Sequence, residues 1–320
     1  MMNSIGSIWA RRFLLACVVV FAASLTTFGT AWATADPAGR VVLPSGASAK
    51  EIREELLDPN GAILIVAHRG HHQSVAENSI ASLEACISEG IPIAEIDVRR
   101  TANGVYVLMH DSTVDRTTFG SGRVEEMSSD EVLALQLRSG VRAQAERVPT
   151  LVEALEASRG RLMLNLDLKS GELGELMELV RSLGMMDHCV FKARWSRLRD
   201  DERRLLLGAD DVVFMPIVES FEEARSALDG GRFPAIEILL RDNLDLLVPE
   251  ARSYFDSRGT RIWVNTLRDG YLSDGRGDHQ GVFDPDETYL WFVERGVTML
   301  QTDLPELAIR SLREAGASPR

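Results

Sequence analysis

The 320-residue chain has only three cysteines. Cys17 falls in an N-terminal apolar stretch, which leaves Cys86 and Cys189 for the body of the protein. Export would permit pairing, but one sits in an expected helix and the other in an expected strand far along the chain. Two buried thiols are therefore expected. Positive charge is short as well: 35 Lys and Arg stand against 48 Asp and Glu, a net charge of −13. Without a basic face the chain is a poor partner for nucleic acid. No Gly-x-Gly-x-x-Gly follows the first expected strand, which weighs against a doubly wound dinucleotide-binding sheet. Internal repeats and strong linkers are absent, so the body reads as one domain.

What is present begins with a leader. Arg11-Arg12 form a basic segment, Phe13–Leu25 an apolar core, and Ala31-Trp32-Ala33 a small-x-small cleavage site, the order of a secretory signal peptide. The apolar core is shorter than the ~20 residues of a membrane span, which disfavours the alternative of an uncleaved anchor. Cleavage after Ala33 leaves 33 Lys and Arg against 48 Asp and Glu, or −15. The expected divisions are a signal peptide over 1–33, a lead-in over 34–60 with a helix at Ala49–Leu57, and the body over 61–317. The expected location is periplasmic or extracellular, with no membrane span after cleavage. Oligomeric state stays open.

From Ile63 onward, short apolar runs alternate with amphipathic stretches. Strands are expected at Ile63–Ala67, Ile93–Val98, Leu162–Leu168, Cys189–Lys192, Val212–Val218, Ala235–Leu240, Arg261–Thr266 and Val297–Gln301. The intervening helices end near Gly90, Gly160, Gly184, Gly208, Gly230, Gly259 and Gly296, as left-handed terminal residues should. Eight such pairs describe a (β/α)₈ TIM barrel, with an open doubly wound sheet as the alternative. Two polar insertions break the rhythm. Residues 102–149 follow the second strand and carry an extra strand at Val105–Met109, then a loop rich in Asp, Arg, Thr and Gly. Residues 268–286 follow the seventh. Both fall on the catalytic face of a barrel.

The chemistry concentrates at strand ends. Glu95 and Asp97 are two apart, so on a strand they share one side, and burying both without a cation is costly. One divalent cation with oxygen ligands, Mg²⁺ or Ca²⁺, resolves the conflict. Asp167 on the next barrel strand is placed to complete that shell, and Lys169 on the same face to neutralise phosphate charge. His68 and His110, on separate strand ends, suit a general acid and base. Arg69 offers a planar fork for phosphate oxygens. His71, His72, His188 and His279 lack such context and are expected at the surface or behind the site.

These motifs resemble the glycerophosphodiester phosphodiesterase family. His68-Arg69-Gly70, Ala76-Glu77-Asn78-Ser79 and Glu95-x-Asp97 are similar to its opening motifs. His110-Asp111, Arg116-Thr117-Thr118, Asp167-x-Lys169, Trp263-x-Asn265 and Thr302-Asp303-x-Pro305 are similar to its later ones. The resemblance implies metal-assisted hydrolysis of glycerophosphodiesters to sn-glycerol 3-phosphate and an alcohol. It implies that His68 and His110 are catalytic and that Glu95, Asp97 and Asp167 hold the metal. Arg69, Lys169 and Glu77 would contact substrate, and Trp263 would wall the glycerol. Asn78 reads equally as the N-cap of the first helix. It also implies attack on phosphorus by the substrate's own neighbouring hydroxyl. Asp167 departs from the family's usual Glu by one methylene. Two rival readings remain: a phospholipase D-like enzyme acting on lysophospholipid or sphingolipid head groups, and a phosphodiester-binding protein without turnover.

Overall fold

The computed structural model describes residues 40–139, 142–240, 244–267 and 276–317. The expected signal peptide, the first six residues of the lead-in and residues 268–275 of the second insertion lie outside these. In chain order the elements begin with helix α1 (Ala49–Leu57), strand β1 (Leu64–Ala67), α2 (Ile80–Glu89), β2 (Ile93–Arg100) and β3 (Tyr106–Leu108). Next come α3 (Ser129–Leu133), β4 (Gln136–Ser139), β5 (Arg142–Arg147), α4 (Leu151–Ser158), β6 (Met163–Leu168) and α5 (Leu173–Ser182). The run β7 (Cys189–Arg194), α6 (Asp200–Leu207), β8 (Val213–Val218), α7 (Phe221–Gly230), β9 (Ala235–Ile238) and α8 (Pro249–Ser257) follows. The chain closes with β10 (Arg261–Asn265), α9 (Asp278–Gly281), α10 (Pro285–Glu294), β11 (Val297–Thr302) and α11 (Pro305–Ala317).

Strands β1, β2, β6, β7, β8, β9, β10 and β11 pair in parallel, and β1 pairs with both β11 and β2, which closes the sheet. The fold is the expected (β/α)₈ barrel. Among the described residues, no helix is long and apolar enough to cross a membrane. Cys86 and Cys189 are both buried and free.

Alternation along the strands builds the barrel interior in layers. The lower layers are apolar: Leu64, Val66, Ile93, Met163, Val190, Met215 and Met299 pack with Ile52 and Leu56 of α1. The lead-in helix therefore plugs the bottom of the barrel. Its start is a capping box in which Ser48 and Glu51 satisfy each other's backbone N–H groups. Higher on the same strands the interior turns polar, with Glu95, Asn165, Lys192 and Glu237 all buried. The outward faces of the strands pack on the helices in a second cluster that includes Leu83, Leu155, Phe191 and Phe255.

Three expectations need correction. Residues 102–149 are more than a strand and a loop. β3 pairs antiparallel with β2, and β4 and β5 form a separate two-stranded ribbon. The polar composition concealed a small core of Val107, Val114, Val124, Val132 and Leu137. The single helix expected between the sixth and seventh strands is broken into a short 3₁₀ turn and α8, because Pro249 cannot continue a helix and instead opens one. Among the seven expected terminal glycines, Gly208 stays right-handed and Gly230 is the last residue of α7, while the other five have positive φ.

Arg261 fastens the plug. Its guanidinium is 2% exposed and donates to the carbonyls of Glu55, Ala62 and Thr298. Replacing Arg261 with Ala strands those carbonyls, so unfolding free energy should fall by on the order of 3 kcal/mol. Urea denaturation checks this, and a change below about 0.5 kcal/mol would show that α1 is held by apolar packing alone.

Candidate active site

The backbone at the end of β1 is unusual. Arg69 adopts a left-handed conformation (φ 56°), and so does Asn78 (φ 52°). Strain of this kind persists only where the surroundings enforce it. Between them Gly70 (φ 75°) lies so close to α2 that a Cβ would sit 2.3 Å from Ser82 Oγ. The turn brings His68 and Arg69 over the barrel mouth, with the Arg69 N–H donating to Glu95 Oε2 at 3.0 Å.

The strand register brings the acids together. Asp97 is opposite Asp167 on β6, and Asp167 is opposite Lys192 on β7. Carboxylate oxygens of Glu95, Asp97 and Asp167 lie within 4.8 Å of one another. Glu95 is 1% and Asp97 0% exposed. Burial, then the neighbouring Asp97 charge, pushes Glu95 up to about 7. Burial also works to raise Asp167, but Lys192 and Lys169 outweigh it and hold this acid below its ordinary range. Asp97 Oδ1 is buried without a hydrogen-bond partner. Three converging carboxylates, two of them almost fully buried, fit a hard divalent cation. Lys169 Nζ stands beside them, 2.8 Å from Asp167 and 3.1 Å from Asp97.

The two histidines are each held by an aspartate. His68 Nδ1 is 2.8 Å from Asp303 Oδ1, and His110 Nδ1 is 2.7 Å from Asp111 Oδ1. A chain of charged groups joins them. Arg116 donates to both Asp111 and Glu77, Glu77 accepts from Arg69, and Arg69 Nε donates to His68 Nε2 at 3.2 Å. Burial works against protonation of His68, yet the Asp303 hydrogen bond and the Glu95 charge raise its pKa overall. His110 moves the other way, lowered chiefly by burial. Although burial opposes it, Arg116 and Arg69 hold Glu77 down at about 2.

A cavity of about 870 Å³ is lined by His68, Arg69, Glu77, Glu95, His110, Asp167 and Lys169. Asp97 is fully buried beside Glu95 and Asp167 and does not itself line the cavity. Glu77 reaches the cavity, but Arg69 and Arg116 occupy both its oxygens, so it holds Arg69 in place. Trp263 is the exception. It is 0% exposed within the apolar barrel layer, its Nε1 donating to Asn265, and it forms no part of the cavity wall. Asn265, two residues on, takes that place. Asn78 is not the N-cap of α2; Ser79 is. Asn78 instead donates to Asp97 Oδ2 at 2.8 Å and accepts from the Asp97 N–H at 2.9 Å. His72, expected at the surface or behind the site, lines the cavity.

Sequence reasoning attached no role to Lys192 or Glu237, which pair at 3.3 Å inside the barrel. A charge within an apolar strand, the signal that flagged Glu95, was available for both. Asp303 could not be paired with His68 from spacing, since 235 residues separate them.

Residues 68–208 match the glycerophosphoryl diester phosphodiesterase family model, and residues 214–312 match a domain of unknown function. Over residues 68–208 the chain belongs to the glycerophosphodiester phosphodiesterase family. A glycerophosphodiester phosphodiesterase of Caldanaerobacter subterraneus is 38% identical over 111 residues, 34% of this chain and 46% of that protein. The alignment thus takes in less than half of that relative. Two solved structures share the fold. A glycerophosphoryl diester phosphodiesterase from Parabacteroides distasonis superposes with a TM-score of 0.67 at 23% identity, over 84% of this chain and 93% of that one. An Oleispira antarctica phosphodiesterase in complex with the product sn-glycerol-3-phosphate gives 0.58 at 22%, over 78% and 96%.

Because Asn78 grips Asp97 twice from a left-handed backbone, Asn78→Ala should weaken Ca²⁺ or Mg²⁺ binding by about tenfold or more. Calorimetric titration reads this directly. Unchanged affinity would reduce Asn78 to a turn residue.

Proposed function

We propose that the chain is an exported phosphodiesterase that hydrolyses glycerophosphodiesters to sn-glycerol 3-phosphate and an alcohol. The observation that carries this is the pair of histidine–aspartate units, shifted in opposite directions, beside three converging carboxylates. Divergent pKa values in one site mark an acid and a base. A binding protein has no need of a matched pair, which disfavours the reading without turnover. The product complex of the Oleispira antarctica relative agrees with the substrate class.

Glu95, Asp97 and Asp167 would hold one divalent cation, Mg²⁺ or Ca²⁺. When bound, it supplies positive charge to the phosphate as negative charge builds there. Arg69 and Lys169 add their own charges to the non-bridging oxygens. In the first step His110, kept neutral, removes the proton from the substrate hydroxyl next to the esterified carbon. That oxygen bonds to phosphorus as the bond to the alcohol breaks, and His68 gives its proton to the departing oxygen. Arg69 Nε–H blocks His68 Nε2 in the free protein. Engagement of Arg69 by the phosphate would release that nitrogen to carry the proton. A water then opens the cyclic phosphate: His68 takes its proton, and His110 returns one to the glycerol oxygen. Intramolecular attack gains a large effective concentration. Leu173, Leu198, Ile217 and Leu239 line the rest of the cavity together with Arg194, Arg197 and Glu202, leaving room for the alcohol.

Val282 and Phe283, 54% and 79% exposed on the second insertion, favour the rival reading of a lipid-facing enzyme. Comparing lysophosphatidylcholine with glycerophosphocholine separates the two. We further propose cleavage after Ala33, to be checked by N-terminal sequencing of the exported protein.

Release of glycerol 3-phosphate from glycerophosphocholine should vanish on EDTA dialysis and return with Mg²⁺ or Ca²⁺; full activity after exhaustive chelation would remove the cation from the scheme. His68→Ala and His110→Ala should each cost on the order of 10²–10⁴ in turnover. The base must be deprotonated, so activity falls as pH drops through the His110 pKa, below the ordinary 6.5. The acid must be protonated, so activity falls as pH rises through the His68 pKa, above 6.5. A profile of kcat/KM with a single limb would contradict the paired roles. A substrate whose attacking hydroxyl is replaced by hydrogen should bind but be nearly inert. Turnover within a few-fold of the parent would instead establish direct attack by water.

A further inference from the structure

The second insertion carries a buried acid that the mechanism above does not use. Asp278 opens the short helix α9 and is 0% exposed. Its Oδ1 accepts from three hydroxyls: Thr266 at 2.7 Å, Thr302 at 2.6 Å and Tyr289 at 3.2 Å. Its Oδ2 accepts the Asp303 N–H at 2.6 Å. Four donors on one carboxylate leave no place for a neutral amide, which would turn two N–H groups toward donors. The backbone on either side is shaped to allow this approach. A Cβ on Gly277 would lie 3.0 Å from the Thr266 carbonyl, and one on Gly281 3.0 Å from the Tyr289 hydroxyl.

Two of the four residues that Asp278 grips also hold His68. Asp303 binds the His68 ring, and the Thr302 carbonyl accepts the His68 N–H at 3.1 Å. Gln73 Nε2 donates to the Asp303 carbonyl at 2.5 Å, so its backbone is restrained on both sides. We infer that Asp278 is a positioning residue for the His68–Asp303 pair, so that residues 276–284 brace the catalytic histidine from behind the barrel wall. The inference rests on the proposed role of His68. Besides Asp278, whose own charge faces Asp303, the charged groups around the pair are Arg69, Glu95 and His72, the last with Nε2 3.9 Å from Asp303 Oδ1. None of these touches Asp278 among the described contacts, so the effect of Asp278 on His68 passes through Asp303 and Thr302.

The test compares the full-length wild type with Asp278→Asn. Side-chain NMR of histidine-labelled protein, assigned with His68→Ala and His110→Ala, follows both imidazoles as pH is varied. Loss of the brace should lower the His68 midpoint, because Asp303 no longer holds the charged ring, and leave that of His110 in place. In assays with glycerophosphocholine, kcat should fall on the order of tenfold or more, with KM within about threefold and only the alkaline limb of the pH profile moved. Midpoints that stay together with the wild type overturn the inference, even if stability drops. If Asp278→Asn does not fold, Tyr289→Phe and Thr266→Val each remove one donor to the carboxylate. A His68 shift in the same direction in either supports the brace, and no shift in both overturns it. Wild-type protein inactive on every glycerophosphodiester would sink the proposed function, while the NMR comparison still decides the brace.

Discussion

Two carboxylates, buried side by side on one strand, set the terms for the whole barrel mouth. Glu95 and Asp97 share the inner face of β2 at almost zero exposure, and like charges in a low-dielectric interior must be neutralised. The surroundings answer this from every direction. Lys192 approaches Glu95 from β7, Lys169 reaches Asp97 from beyond β6, Arg69 comes within 3.5 Å of Asp97, and Asn78 hydrogen-bonds it from the turn. The left-handed backbone at Arg69 and Asn78 follows from the same demand, since it turns both toward the acid pair. Asp97 Oδ1 accepts no hydrogen bond and has only the Lys169 ammonium beside it, and a divalent cation is a further group of suitable charge and hardness.

Once positive charge is gathered there, the environments of the histidines follow from their distance to it and from their aspartates. His68 lies deep, against Asp303 and near Glu95, and is biased toward the charged form. His110 is the more exposed of the two, but burial still prevails there because Arg69 and Lys169 oppose its aspartates, and it is biased toward the neutral form. The Asp111–Arg116–Glu77–Arg69 chain ties the two together and fills the outer rim with fixed dipoles and charges. Such preorganisation is what phosphoryl chemistry requires, because the protein contributes placement of charge more than bonds of its own.

The insertions, which the sequence places on the catalytic face, each carry buried structure where they are described. Residues 102–149 carry their own small core and present His110 and Asp111 at its edge. Residues 276–286 sink a carboxylate behind the Thr302-Asp303 corner. Polar composition disguised both, since a buried polar network and a solvated loop draw on the same residues.

The alternation of apolar runs and amphipathic segments was enough by itself to specify eight β/α units. Each local pattern there agrees with the closed sheet: strands buried on both faces are continuously apolar, and helices end where the spacing changes. The metal-type acids and both histidines were legible for the same reason, as charges stranded in or at the end of apolar strands. Trp263 was misplaced because a strand's period of two states which side a residue takes, but not how deep in the barrel it lies; depth depends on strand tilt and register. Pairings across long separations, such as His68 with Asp303, Lys192 with Glu237 and Asp278 with Thr302, belong to closure of the barrel alone. A hydrogen bond between residues far apart in the chain leaves no periodic trace, and only the folded register decides which polar groups meet.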